Sequence, residues 1–483
     1  MKKLNKLFKS LILILPAVLF FSYFPVIGLG ASESMNFELS LPLIWLIVFD
    51  VVGLIALWQR KVLIKGLKDK WIWLLFPVWL SLSVLWSLNF VRGLLTVGIV
   101  WLLYFAGYVM WSLRDLFDGE FRMRFLKWLF GSTLVVCSWC LLQCVLDILG
   151  VSQGWTLLCD GCTYHMFGFP HPNGFAIEPQ FMGNLLLAPA LIAAWLLMRK
   201  LNRKKMLIGF FIIMATLFLT FSRGAIYAFV VALVFMATFM IVREKVKKRR
   251  EVVKRVGAVC GVVILSFVVA LNVQGLLAQF SPTDDTYGTG VSKVLHHLSL
   301  GVIDVRNNDL STSEPVVVEE EDEEDQVVEN SVEKIENYRG EEAAFNGYVA
   351  ESTDTRLRLT GAAVKVWSGD AKTALFGVGL GGAGQALYDN GLSPAPKEIV
   401  QNEYTSLLLE TGLVGVSLLA LTILLIIRVL IRNLANAVLL SLVVAYGVSL
   451  LFFSGLPNAL QIYLVPMVIC MIYWSGKRKK LVS

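Results

Sequence analysis

The chain has 483 residues, of which 57% are apolar and only 16% charged, with a net charge of +7. Too little charge is present to cover so much apolar material in water, so a soluble globular enzyme is excluded and an integral membrane protein is indicated. Charge segregation argues against nucleic-acid binding as well: residues 314–342 hold 13 acidic and 2 basic residues, a local −11, which leaves +18 for the rest.

The basic segment "MKKLNKLFKS" precedes the apolar run "LILILPAVLFFSYFPVIGLG", which is longer than the apolar part of a secretory signal and lacks a small-residue cleavage site. It is expected to be a retained first span. Runs able to cross about 30 Å of hydrocarbon, at roughly 20 residues each, recur at 9–29, 41–58, 71–88, 93–111, 126–149, 178–198, 206–221, 224–242, 256–275, 404–427, 434–453 and 458–475. The pattern predicts an all-α polytopic membrane protein with about twelve transmembrane helices.

Cytoplasmic connections collect Lys and Arg. Alternate connections here do so: "QRKVLIKGLKDK", "LRDLFDGEFRMRFLK", "RKLNRKK", "REKVKKRREVVKR", "RVLIRN" and the tail "GKRKK". The intervening set, "ASESMNFEL", "VSQGWTLLCDGCTYHMFGFPHPNG" and "SGLPN", holds none. Both termini are therefore expected in the cytoplasm. The predicted layout is an N-terminal bundle of about nine helices (1–275) with an external loop at 150–177, a large external loop (276–402), C-terminal spans (403–476) and a basic cytoplasmic tail (477–483).

The first external loop carries "CDGC" at Cys159 and Cys162. A single pair lacks two further zinc ligands, so a local disulfide or free thiols are expected, and no metal site. Further on, His165, His171, Asn173 and Glu178 gather where the chain re-enters the membrane, among Pro170, Pro172 and Pro179. They suit sugar contacts or a general base, or else helix capping and loop rigidity.

Ionisable groups at the membrane are costly, so each is a candidate for function. On the outward side these are Arg92, Glu178, Arg223, Glu403 and Glu410; Asp50 and Asp147 also fall in spans, where hydration near a helix end or beside small residues explains them. Arg223 stands in "LFLTFSRGAIYAF", between spans with almost no connecting loop. Counted from Lys205 it lies about 27 Å along a helix, at the outer boundary of the bilayer. There it either snorkels to headgroups or holds a phosphate with its planar fork.

In the large loop, "SEPVVVEEEDEEDQVVENSVEKIENYRGEE" is acidic, of low complexity and poor in aromatics, so 311–345 is expected to be a disordered insertion. Next, "ESTDTRLRLTGAAVKVWSGD" predicts an amphipathic helix over about 354–369, capped by Ser352, Thr353 or Asp354. Its expected apolar face is Leu357, Val364 and Trp367, with Arg358 and Lys365 on another. The run "GVGLGGAG" follows no strand, so a tight turn at the membrane surface is expected in place of a nucleotide loop. In the span entrance "QNEYTSLLLETG", Glu403 and Glu410 are seven residues apart, about 20° from alignment on a helix, so that one face is polar for nearly two turns.

Three motifs in this order resemble the O-antigen ligase and polymerase superfamily of bacterial polysaccharide enzymes: "FSRGA" at a helix junction, an arginine (Arg358, or Arg356) some twenty residues before "LFGVGLG", and "QNEYTSLLLETGLVG". Softer echoes are "SVLWSLNFVRGLL" and "PNGFA". The resemblance spans the chain except the acidic insertion. It implies a helical glycosyltransferase of the GT-C type that moves an undecaprenyl-diphosphate-linked glycan to a lipid, polysaccharide or protein acceptor, outside the cytoplasmic membrane and without metal, nucleotide or other cofactor. It further implies that Arg223 and Arg358 or Arg356 hold the diphosphate and that Asn402 is the motif asparagine; from their polarity at the outer side, Arg92, Asn173, Tyr404 and Glu410 are expected to meet glycan or acceptor.

The family's ligases have histidine before that asparagine; here it is Gln401, which cannot take a proton at neutral pH. Glu403, Glu178, His171 and His165 remain as candidates for the base. A lipid-linked sugar transporter is the alternative from another class, and long external loops with charge at the outer surface, not at the midplane, argue against it.

Overall fold

The computed structural model describes residues 2–22, 26–32, 35–61, 71–148, 171–176, 178–199, 203–244, 246–278, 297–300, 345–396, 398–431, 436–454 and 460–474. Cys159, Cys162, His165, residues 311–344 of the acidic insertion and the 477–483 tail lie outside them.

Helix α1 (Lys2–Phe20) leads into an antiparallel hairpin, β1 (Val26–Ser32) and β2 (Met35–Ser40), with Val26 opposite Ser40 and Ser32 opposite Met35. The expected continuous span over 9–29 is therefore a shorter helix followed by strands. Pro25 disfavours helix at the residue before it, and Gly28 and Gly30 weaken what would follow. The remaining helices are α2 (Leu41–Gln59), α3 (Leu75–Ser83), α4 (Phe90–Ser112), α5 (Gly119–Ile148), α6 (Pro179–Met198), α7 (Arg203–Leu219), α8 (Arg223–Arg243), α9 (Val246–Ala278), α10 (Phe345–Trp367), α11 (Ala371–Phe376), α12 (Ala383–Asp389), α13 (Glu403–Leu430), α14 (Ala437–Ser449) and α15 (Leu460–Trp474).

Among the described residues seven helices are long and apolar enough to cross a membrane: α2, α4, α5, α6, α8, α9 and α13. Three shorter apolar segments, Trp71–Trp86, α14 and Leu460–Tyr473, add to them. This is an all-α membrane architecture with one small hairpin. The span expected at 71–88 is broken into α3 between the 3-10 turns Trp71–Leu74 and Val84–Trp86. Ser81 and Ser83 turn their hydroxyls back onto the carbonyls of Pro77 and Leu80 (both 2.8 Å), which competes with helical bonding.

Helix α6 forms the centre and is buried along nearly its whole length. Small residues let its neighbours close in: a Cβ on Gly183 would lie 2.9 Å from Ser222 and Ala225 of the α8 start. Asn184 accepts the Ser449 hydroxyl at 2.6 Å and ties α6 to the end of α14. At the opposite end of the bundle from the α6 and α8 N-termini, Arg60 pairs with Asp115 at 2.9 Å and Lys9 with Asp118 at 3.3 Å.

Helix α10 begins well before the expected 354, so Ser352, Thr353 and Asp354 are interior to it and do not cap it. Its apolar face also differs from the expected one. Leu359, Ala362 and Ala363 are buried, with Val366 and Trp367 packed beside them, against Ala383 and Leu387 of α12 and Leu409 of α13. Leu357 (66% exposed) and Val364 (39%) look outward. The stripe at i, i+3, i+4 and i+7 from Leu359 is the one that finds a partner surface.

Candidate active site at the ends of α6, α8 and α13

Arg223 is the first residue of α8, where Ser222 caps the helix by accepting the Ala225 N–H. The chain turns sharply just before it, with Phe221 at φ 48°. Positive φ is strained for an aromatic residue, and packing holds it: the His171 ring lies 4.8 Å from the Phe221 ring, and His297 makes a 3.0 Å hydrogen bond with the Phe221 carbonyl. His171 is thus buried beneath the arginine turn. Arg223 is itself buried, and its Nη1 donates to Thr353 Oγ1 of α10 at 3.1 Å.

One turn on from Thr353, Arg356 donates from Nη2 to Gln180 Oε1 at 3.4 Å, in the first turn of α6. Its charge also acts on Glu178, the residue before α6. Desolvation raises the Glu178 carboxyl above its usual range, and the arginine pulls the other way. Two residues separate Arg358 from Arg356, more than half a turn of helix, and its side chain is exposed. Of the two arginines, Arg356 is therefore the one brought to Arg223 and Glu178.

The non-helical stretch 450–454 after α14 joins these groups to α13. Gln180 Nε2 donates to the Phe452 carbonyl at 2.8 Å, and the Phe452 side chain packs on Gly224, where a Cβ would lie 2.8 Å away. The Glu403 N–H donates to the Leu450 carbonyl at 3.0 Å. The Glu403 carboxylate accepts Ser454 Oγ at 2.9 Å and the Tyr463 hydroxyl at 2.6 Å. Arg356, Gln180, the 450–454 segment and Glu403 form one chain of contacts.

Asn402 is the N-cap of α13; its Oδ1 accepts the N–H of Tyr404 (3.1 Å) and of Thr405 (3.2 Å). Tyr404 donates its hydroxyl to the Gly447 carbonyl at 2.7 Å. Gln401 is half-buried just ahead of the cap. Asn173 stands apart, fully buried and accepting from Gln143 of α5 at 3.2 Å, where it fixes the "PNG" turn.

Glu410 lies deeper on α13, just before a break in the helix at Gly412 (φ 64°). That break leaves the Leu409 and Glu410 carbonyls without helical partners, and the glycine turn supplies them: Val378 and Gly379 donate their N–H groups at 2.9 Å each. On its other side the turn meets the start of α4. Ser87 Oγ donates to the Leu380 carbonyl at 2.7 Å, and the Leu88 N–H to the Val378 carbonyl at 3.3 Å. Only glycine fits so tight a passage, since a Cβ on Gly379 would lie 2.3 Å from the Ser87 backbone. Arg92, on the first turn of α4, acts electrostatically on Glu410.

Ser454, Tyr463, Gln180 and Thr353 were not expected as site residues. Among the described residues no group of three or more His, Cys, Asp or Glu is arranged to hold a metal ion.

The fold and site define a polytopic helical membrane protein whose arginines, carboxylates and glycine turn meet at one end of the bundle. Residues 208–420 match the family model described as O-antigen ligase, so the chain carries a domain of that superfamily, as the three motifs suggested. The matched segment runs from α7 into α13 and holds Arg223, Arg356, Gln401 and Glu403; Glu178, Gln180, Ser454 and Tyr463 come from outside it. No curated protein matches the sequence significantly.

Proposed function

We propose that the protein is a membrane glycosyltransferase of the O-antigen ligase type. It transfers a glycan from undecaprenyl diphosphate to a hydroxyl of a lipid, polysaccharide or protein acceptor, on the outer face of the bacterial cytoplasmic membrane. The observation that carries this is the chain of contacts linking Arg223 and Arg356 to Glu403 through Thr353, Gln180 and the 450–454 segment.

In this reading the two guanidiniums meet the diphosphate, neutralising the charge that develops as the bond between the glycosyl carbon and the phosphate oxygen breaks. The acceptor oxygen attacks that carbon, its proton passes to the Glu403 carboxylate, and the bonding pair leaves on the diphosphate. Ser454 and Tyr463 hold the carboxylate in place. Gln401 stands where the ligases have histidine, so the base is sought elsewhere; a polymerase of the same superfamily, with the growing glycan as acceptor, is the second reading.

Purified protein in detergent, given an undecaprenyl-diphosphate-linked oligosaccharide and a hydroxyl acceptor, should release undecaprenyl diphosphate and extend the acceptor. Absence of turnover with every acceptor class, alongside donor translocation in proteoliposomes, would overturn the assignment in favour of transport.

A further inference from the structure

Beyond its helical register, Glu410 is tied to the glycine turn by its side chain. Its carboxylate Oε1 accepts the Ala383 N–H at 3.4 Å, at the start of α12, and the Gly381 N–H points to the same group. Both belong to the turn whose preceding residues, Val378 and Gly379, splint the broken helix. The carboxyl oxygen is a buried acceptor for these backbone N–H groups, and Arg92 acts on the group electrostatically from α4. Glu403, from the same helix, also acts on it.

The turn is also the anchor of α10. From Arg356 the helix runs to Trp367, whose Nε1 donates to the Ala374 carbonyl of α11 at 3.0 Å. Helix α11 ends at Gly377, where a Cβ would lie 2.3 Å from the Glu410 backbone. Contacts are therefore continuous from the arginine-bearing helix to Glu410.

We infer that Glu410 is a positioning residue: it latches the glycine turn onto the break in α13 and so fixes Arg356 relative to Glu403. The consequence for catalysis rests on the transfer reaction proposed above; the latch itself does not.

The test uses spin labels at Leu357→Cys, one residue from Arg356, and at Leu424→Cys on α13, both positions exposed, in a cysteine-depleted full-length protein. The distance distribution is measured for the parent, Glu410→Ala and Glu410→Gln, together with kcat and the donor KM. Glu410→Ala should broaden the distribution and lower kcat about a hundredfold, the cost of misplacing reacting groups by about an ångström, with KM changed less. Glu410→Gln, which keeps an acceptor oxygen, should restore a narrow distribution and much of kcat. An unchanged distribution in Glu410→Ala would overturn the latch. A broadened distribution with unchanged kcat would overturn its catalytic role. Should the parent show no transfer, the transfer reading fails while the distance measurement still decides the latch.

Discussion

Tyr463 of α15 donates its hydroxyl to Oε1 of Glu403, the first residue of α13, at 2.6 Å. A carboxylate held by this hydroxyl and that of Ser454 has a fixed direction for its remaining lone pairs, which a base needs. Glu403→Gln should therefore reduce turnover by about 10²- to 10⁴-fold, the usual contribution of a positioned base. Gln401→Ala should change it far less. Tyr463→Phe keeps the carboxylate and removes one support, so it should fall between the two. Comparable losses in the Gln401 and Glu403 variants would refute the assignment of the base.

Arg356 and Arg358 are separated by position on α10. Arg223→Ala and Arg356→Ala should each lower turnover by about 10²- to 10³-fold, as for loss of one donor to a developing oxyanion. Lysine at either place should not restore activity, because it lacks the planar fork. Arg358→Ala, on the exposed side of α10, should stay close to the parent. Membrane insertion and the thermal unfolding profile check that the inactive variants are folded, and a severe loss in Arg358→Ala alone would reverse the choice between the two arginines.

Much of the bundle is legible in the sequence because a span needs a long apolar run, and ten of the described segments follow such runs. Arg223, Glu403 and Glu410 are legible for the complementary reason that charge is costly there. Ser454 and Tyr463 are not, since one hydroxyl in an apolar stretch has no cost large enough to mark it. Their partner Glu403 is 51 and 60 residues away, so chain folding alone brings them together. The α10 face differs from the expected one because Leu357 and Val364 look apolar from composition, while burial depends on where α12 and α13 lie. Nor does the sequence mark the helix break at Gly412 as the place where the glycine turn binds.

In the proposed reaction, Glu178 is expected to link donor binding to pH. Its carboxyl is raised by desolvation, so at mildly acidic pH it is more neutral than an unperturbed glutamate, and the Arg356 charge is less offset. As pH rises through that raised value the carboxylate forms beside Arg356 and competes with a diphosphate. Donor KM should therefore increase with pH in the parent. In Glu178→Gln the KM should be lower at neutral pH and this part of its pH dependence should vanish. A parallel KM–pH curve for parent and variant would exclude the coupling.

Asn402 is an invited target for a chemical role because it adjoins Gln401 and Glu403, yet its side-chain oxygen is already committed to the N–H groups of Tyr404 and Thr405. A cap of this kind contributes about 1 kcal/mol to helix stability, and aspartate serves nearly as well as asparagine. Asn402→Asp should accordingly keep thermal stability, and the added charge at the positive end of α13 should not harm the helix. Asn402→Ala should lower stability by about 1 kcal/mol and reduce turnover through the altered placement of Glu403, with partial recovery at lower temperature. If Asn402→Asp is stable but inactive, the amide nitrogen of Asn402 takes part in the reaction and capping is not its main role.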